Sequence, residues 1–188
     1  MIKLVSVPGN QQQVIDWLNK FESVEIVQPD SIISHQPDIK DIYCFQGGNN
    51  FTVLSHIRSF AKQLLNTGAK CIFICGSFQF LFSKSEEGEE VVGLEKFDCK
   101  VEKLNSYNIG FNKVRGASNN YQGECYFNHR YGVKYANMLD DKNDGDLYLT
   151  EDNVLAAIIT KQIFGTQFHP ELSRGQFDGV FRYWLTGK

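Results

Sequence analysis

The chain has 188 residues, 42% of them hydrophobic and 22% charged, which is enough apolar side chain for one domain with a buried core and too little charge for a disordered polymer. Its 19 Lys and Arg against 22 Asp and Glu leave a net charge of −3 with no dense basic run, so a broad phosphate-binding surface, and nucleic acid as a partner, are not expected. The stretch from Met1 to Gly9 is too short for a signal peptide and no run approaches the roughly 18 apolar residues of a membrane span, so a cytoplasmic protein is the expectation.

Strand-length apolar segments alternate with longer segments of helical period, an order that predicts a parallel sheet with crossover helices. Ile2 to Val7 reads as the first strand, Pro8-Gly9-Asn10 as a turn, and Val14, Leu18 and Phe21 as the stripe of a helix, with Val24 to Val27 a second strand. Ile42 to Phe45 is a short buried strand running into Gln46-Gly47-Gly48-Asn49-Asn50, where paired glycines and asparagines signal unusual backbone. Phe51 to about Thr67 has helical period and stops at Gly68; Cys71 to Ile74 is the next strand, and Gly76 to Phe82 has the pattern of a short helix behind it. Beyond Ser85 the strands shorten: Lys100 to Leu104, Gly123 to Phe127, and an antiparallel hairpin of Leu155 to Thr160 with Ile163 to Phe168. Asp140 to Asp146 is a charged loop, and Phe177, Val180, Phe181 and Trp184 stripe a last helix. Without a repeat or linker, residues 1–188 read as a single domain.

Five cysteines (Cys44, Cys71, Cys75, Cys99, Cys125), odd in number and lacking a C-x-x-C pair, argue against a disulfide framework or thiolate zinc centre. Cys75 differs from the rest in falling at a strand-to-helix junction, where backbone N–H groups and the helix dipole favour a thiolate. The other reading of Cys75 is a buried structural cysteine. Phe168-His169-Pro170-Glu171 ends another apolar strand; in extended chain His169 and Glu171 project to one side, so the carboxylate can orient the imidazole. His169 is then a candidate base for the Cys75 thiol, and the N–H groups of Gly76, Gly47 and Gly48 are candidates for an oxyanion hole. Glycine loop, cysteine junction and His-Pro-Glu all fall at strand ends, where open α/β sheets gather ligands.

With these residues in place, the chain resembles the class I glutamine amidotransferases over nearly its whole length, and within them the glutaminase subunits of imidazole glycerol phosphate synthase. The sharpest part is Phe164-Gly165-Thr166-Gln167-Phe168-His169-Pro170-Glu171-Leu172-Ser173, beside a family pattern G-x-Q-F-H-P-E-x-S. Supporting parts are Pro8-Gly9-Asn10, Cys75 with Gln79, Ser85-Glu86-Glu87-Gly88, Ile109-Gly110-Phe111-Asn112 and Tyr126-Phe127-Asn128-His129-Arg130-Tyr131. The resemblance implies a flavodoxin-like α/β fold, mostly parallel with an antiparallel C-terminal hairpin. It also implies attack of Cys75 on the amide of glutamine, contacts to glutamine from Gln79, Glu87 and Tyr131, and no metal or organic cofactor. Because ammonia becomes unreactive ammonium in water, it further implies a partner synthase, in the nearest family a (β/α)8-barrel cyclase of histidine biosynthesis. Alternatives are a paralogous subunit feeding surface-sugar amidation, a stand-alone cysteine hydrolase of the same fold, and a binding subunit without catalysis. Against the family pattern, Phe73 and Ser77 replace the two glycines flanking the cysteine, Gln46-Gly47-Gly48-Asn49 replaces P-G-V-G, and Leu172 replaces a lysine on the synthase-facing side. Phe73 is expected to crowd the junction, and Gly76 to relieve it.

Overall fold

The computed structural model describes residues 1–6, 11–28, 37–47, 54–87, 92–138 and 145–188. Among these, ten strands form one sheet: β1 (Ile2–Val5), β2 (Val24–Val27), β3 (Ile42–Phe45), β4 (Lys70–Ile74), β5 (Phe82–Ser85), β6 (Phe97–Gly116), β7 (Gln122–Gly132), β8 (Asp146–Thr150), β9 (Leu155–Ile159) and β10 (Ile163–Thr166). The order is β2-β1-β3-β4-β10-β9-β8-β6-β5, with β7 paired to β6. From β2 to β10 every pairing is parallel, and from β10 through β9 and β8 to β6 every pairing is antiparallel. The sheet is therefore mixed, with its parallel half carrying the three candidate segments.

Helices α1 (Gln12–Leu18), α2 (Arg58–Thr67), α3 (Gly76–Gln79) and α4 (Asp178–Thr186) accompany it. The central parallel strands β3 and β4 are apolar on both sides because both sides are covered. Tyr43, Phe45, Cys71 and Phe73 point into a core with Phe60, Ala61 and Leu64 of α2. Ile42, Cys44, Ile72 and Ile74 point the other way, into a core with Val14, Trp17 and Leu18 of α1 and Phe181 and Trp184 of α4. Two buried indoles find acceptors: Trp17 Nε1 donates to Asp178 Oδ1 and Trp184 Nε1 to the Thr160 carbonyl, each at 2.8 Å. Gly68 ends α2 at φ 82°, its N–H returning to the Leu64 carbonyl, as a left-handed cap requires.

Several local boundaries depart from the sequence reading. α3 is only four residues, because Phe82 leaves it for β5 and packs on Phe97 and Phe78. The strands expected at 100–104 and 123–127 fall within the longer β6 and β7; the middle of β6 is largely exposed and so carries little apolar signal. The expected turn Pro8-Gly9-Asn10, the start of the second helix at Phe51 and most of the charged loop lie outside the described residues.

Candidate active site

Strand β4 ends at Ile74, and Cys75 turns the chain into α3 with φ 54° and ψ −111°, a backbone conformation that costs a non-glycine residue about 1–3 kcal/mol. Both of its backbone groups are tied down: Cys75 N–H donates to the Thr166 carbonyl at 2.7 Å, and its carbonyl accepts from Gln79 N–H at 3.1 Å. This is the geometry of a nucleophile elbow, which lifts a side chain out of strand alternation to the sheet edge. Ser77 secures the junction from beneath. Its hydroxyl accepts from Ile74 N–H at 2.8 Å and faces the carbonyls of Phe45 and Ile74, joining the ends of β3 and β4. Phe73 is accommodated without crowding, stacked on Phe45 of β3 at 4.9 Å and 11° between ring planes.

Next to β4 in the sheet, β10 delivers the imidazole. Its register sets Thr166 beside Ile74, and the chain continues through Gln167 and Phe168 to His169, whose N–H donates to the Tyr126 carbonyl of β7 at 2.8 Å. Glu171 reaches His169 from a tight 3-10 turn, Pro170–Leu172, and not from the extended chain that the sequence suggested. The contact survives the change: His169 Nδ1 lies 2.8 Å from Glu171 Oε1, with the carboxylate side chain only 6% exposed. Ser173 pins the turn, its hydroxyl donating to the His169 carbonyl at 2.6 Å and accepting from Tyr126 N–H at 3.0 Å. Burial works against charge on the His169 ring, but hydrogen bonds to the Cys75 sulfur and to Glu171 outweigh it and raise its pKa to about 10. Sulfur, imidazole and carboxylate thus stand in series at the carboxyl ends of β4 and β10.

Of the three glycines read as oxyanion donors, Gly47 lies hard against the elbow: a Cβ there would sit 2.5 Å from Cys75 Cβ and 2.8 Å from the Ile74 carbonyl oxygen. Gly76 is the first residue of α3, where the N–H has no acceptor within the helix. Gly48 lies outside the described residues.

A cleft of about 410 Å³ opens beside Cys75, and Gln79, Glu87 and Tyr131 all line it. Gln79 Nε2 donates to the Tyr131 carbonyl at 2.8 Å and to Gln167 Oε1 at 3.0 Å, and Gln167 Nε2 in turn points at Cys75 Sγ from 3.9 Å. Gln167 was missed as a site residue, although a glutamine inside an apolar strand end is itself the signal of a buried polar role. Glu87 is presented by a turn in which its N–H donates to Ser85 Oγ at 3.0 Å, and burial raises its carboxyl pKa. His129, also unassigned from sequence, lines the same cleft; its Nδ1–H donates to the Tyr131 carbonyl at 2.8 Å, and Nε2 is buried without a partner among the described residues. Desolvation, helped by the neighbouring His169, lowers its pKa to about 4, so the ring is neutral. All five cysteines are free and buried, and among the described residues no cluster of His, Cys, Asp and Glu is suited to a metal ion. Nor is any described helix long and apolar enough to cross a membrane.

Comparison with known proteins now bears on this geometry. The chain is 29% identical over 212 residues to the imidazole glycerol phosphate synthase hisHF of Emericella nidulans, an alignment covering 96% of this chain but 37% of that protein, so the chain spans little over a third of its length. It is 27% identical to the imidazole glycerol phosphate synthase subunit HisH of Thermotoga maritima, with 92% of this chain and 90% of that one covered. Its fold matches the structure of PurLQS from Thermotoga maritima with a TM-score of 0.70 at 15% identity, covering 97% of each chain. The family described as glutamine amidotransferase class-I matches residues 9–182. On that span the chain belongs to the class I glutamine amidotransferases.

Proposed function

We propose that residues 1–188 form a single glutaminase domain, a subunit that releases ammonia from glutamine through Cys75, His169 and Glu171 and passes it to a synthase. The observation that carries this reading is the strained Cys75 set at the end of β4 beside an imidazole whose far nitrogen is held by a buried carboxylate at 2.8 Å. In the proposed mechanism Cys75 Sγ attacks the side-chain amide carbon, and the N–H groups of Gly76 and Gly47 face the oxygen as it becomes negative. With its pKa near 10 the imidazole holds the proton given up by the thiol, and donates it to nitrogen as the carbon–nitrogen bond breaks. Ammonia leaves and a thioester remains. Water then attacks that carbon, His169 takes its proton, and glutamate departs with the thiol restored. Glu171 holds the ring orientation throughout, while Gln79, Glu87 and Tyr131 seat the glutamine.

Ammonia entering bulk water near neutral pH is protonated and lost as a nucleophile, so a shielded transfer to a bound synthase completes the reading. Likeness to imidazole glycerol phosphate synthase subunits supports a (β/α)8-barrel cyclase as that synthase, histidine biosynthesis as the context, and the cytoplasm as the location. A second acceptor, in a surface-sugar amidation system, is favoured by Leu172: at the turn that carries Glu171 an apolar side chain stands where a cyclase-facing cation is expected.

The test is to co-purify the chain with its synthase, treat the complex with an electrophilic glutamine analogue, and follow glutamate. Labelling at Cys75, glutamate release, and loss of both in Cys75→Ser with the complex intact are expected. Glutamate release by Cys75→Ser, or an unlabelled Cys75 in an assembled complex, refutes the assignment.

A further inference from the structure

The cleft beside Cys75 holds two opposite charges that have no ionic partner among the described residues. Glu87 lines it with a carboxylate, and Arg130, on β7, lines it with a guanidinium; neither takes part in any of the ion pairs among the described residues. The remaining nitrogen base on the cleft, His129, is neutral. Arg130 is the cleft's one cation among the described residues.

Its guanidinium is already oriented. Tyr107, across the hairpin on β6, places its ring 4.6 Å from the guanidinium carbon and accepts from Arg130 Nη1 at 2.9 Å. Stacking of this kind fixes the plane of the fork and spends one of its five N–H donors, leaving the others for a ligand. Arg130 is only half-buried, so it is open to a ligand entering the cleft. A planar fork of donors matches a carboxylate in two parallel hydrogen bonds, a geometry that a single amide N–H does not offer.

Free glutamine carries an ammonium and a carboxylate on one carbon, with the reacting amide three bonds further along. Building on the glutaminase reading above, in which Glu87 helps seat the glutamine and its carboxylate suits the ammonium, we propose that Arg130 binds the α-carboxylate of the substrate and sets the amide over Cys75. Arg130 is thus a substrate-positioning and specificity residue, favouring the free amino acid over amides that lack the acid group.

The test uses the Cys75→Ser chain, which binds without turnover, in complex with its synthase and titrated calorimetrically with L-glutamine and with 4-aminobutanamide, which is glutamine with the α-carboxylate replaced by hydrogen. A charge-assisted bidentate pair predicts that the parent prefers glutamine by about 10- to 100-fold. Adding Arg130→Gln lowers glutamine affinity by that factor and leaves 4-aminobutanamide affinity unchanged, while Arg130→Lys recovers part of the preference. Equal affinity of the parent for the two ligands overturns the inference without any substitution at Arg130, as does an equal loss for both ligands in Arg130→Gln; in those outcomes the glutaminase reading stands. Absence of glutamine binding by the parent complex overturns the glutaminase reading, and this inference with it.

Discussion

Gly47→Ala places the smallest possible side chain at the tightest approach in the site. The new Cβ would stand 2.5 Å from Cys75 Cβ, 2.8 Å from the Ile74 carbonyl oxygen and 3.2 Å from Gly76 N. Carbon atoms in contact keep about 3.5–4.0 Å, so about 1 Å must be found. It cannot come from the elbow at low cost, because Ile74 is held by Ser77 and Cys75 by bonds at both its backbone groups. The Gln46–Gly47 segment therefore moves off the sulfur, carrying its N–H with it. A misplacement of that size lowers turnover by about 100-fold, while overpacking costs about 1–3 kcal/mol of stability. Steady-state glutamate formation by the synthase complex reads the first, and a thermal melt the second. A variant within about threefold of the parent in kcat refutes the close-approach argument, since a displacement near 1 Å is expected to cost far more.

Two further outcomes follow from the same geometry. Ser77→Gly removes the hydroxyl that receives Ile74 N–H, leaving a buried donor unpaired and adding backbone freedom, for a loss of about 2–4 kcal/mol in chemical denaturation; unchanged stability, or a large gain in turnover, shows that the hydroxyl does not secure the junction. His129 has a folded pKa of about 4 against an ordinary 6.5, because burial disfavours its charged form. As pH falls through that window the unfolded chain takes up a proton that the folded chain refuses, so stability declines with acid, by about 3 kcal/mol once both forms are protonated. His129→Gln should flatten this slope between the two values in melts run across pH, and an equal slope in parent and variant refutes the assignment.

How much of this was legible in the sequence depends on whether a feature is local. The parallel strands were readable because Tyr43, Phe45, Cys71 and Phe73 serve one apolar core while Ile42, Cys44, Ile72 and Ile74 serve another, which leaves continuous hydrophobic runs. The hairpin of β9 and β10 was equally plain. The β6–β7 hairpin was read short, since the middle of β6 is largely exposed and pairing with β7, not burial, carries it between Val101 and Val114. Around the site, chain-local pairs such as His169 with Glu171 could be read from spacing, although the contact is made by a turn. Gln167 approaching Cys75, and Arg130 stacked on Tyr107, depend on strand neighbours far apart in sequence, and no spacing rule reports them.

The replaced glycines show what an elbow actually requires. Side chains two apart on a strand share a face, so bulk at Phe73 was expected to crowd Cys75. The positive φ of Cys75 breaks that alternation: Phe73 joins the core beneath α2, whereas Cys75 packs with Ile74 and Ile72 on the opposite face. Residue 73 is then free to be large, and the Phe45–Phe73 stack adds an aromatic contact worth about 0.5–1.5 kcal/mol beside a backbone strain of about 1–3 kcal/mol. At residue 77 what matters is that the side chain be short enough to pass beneath β3, and serine meets that limit while bonding to the strand ends on either side. The junction therefore holds its strained cysteine by packing on one face and hydrogen bonds below, and the close approach demands glycine at Gly47, where another backbone comes within reach of the sulfur-bearing residue.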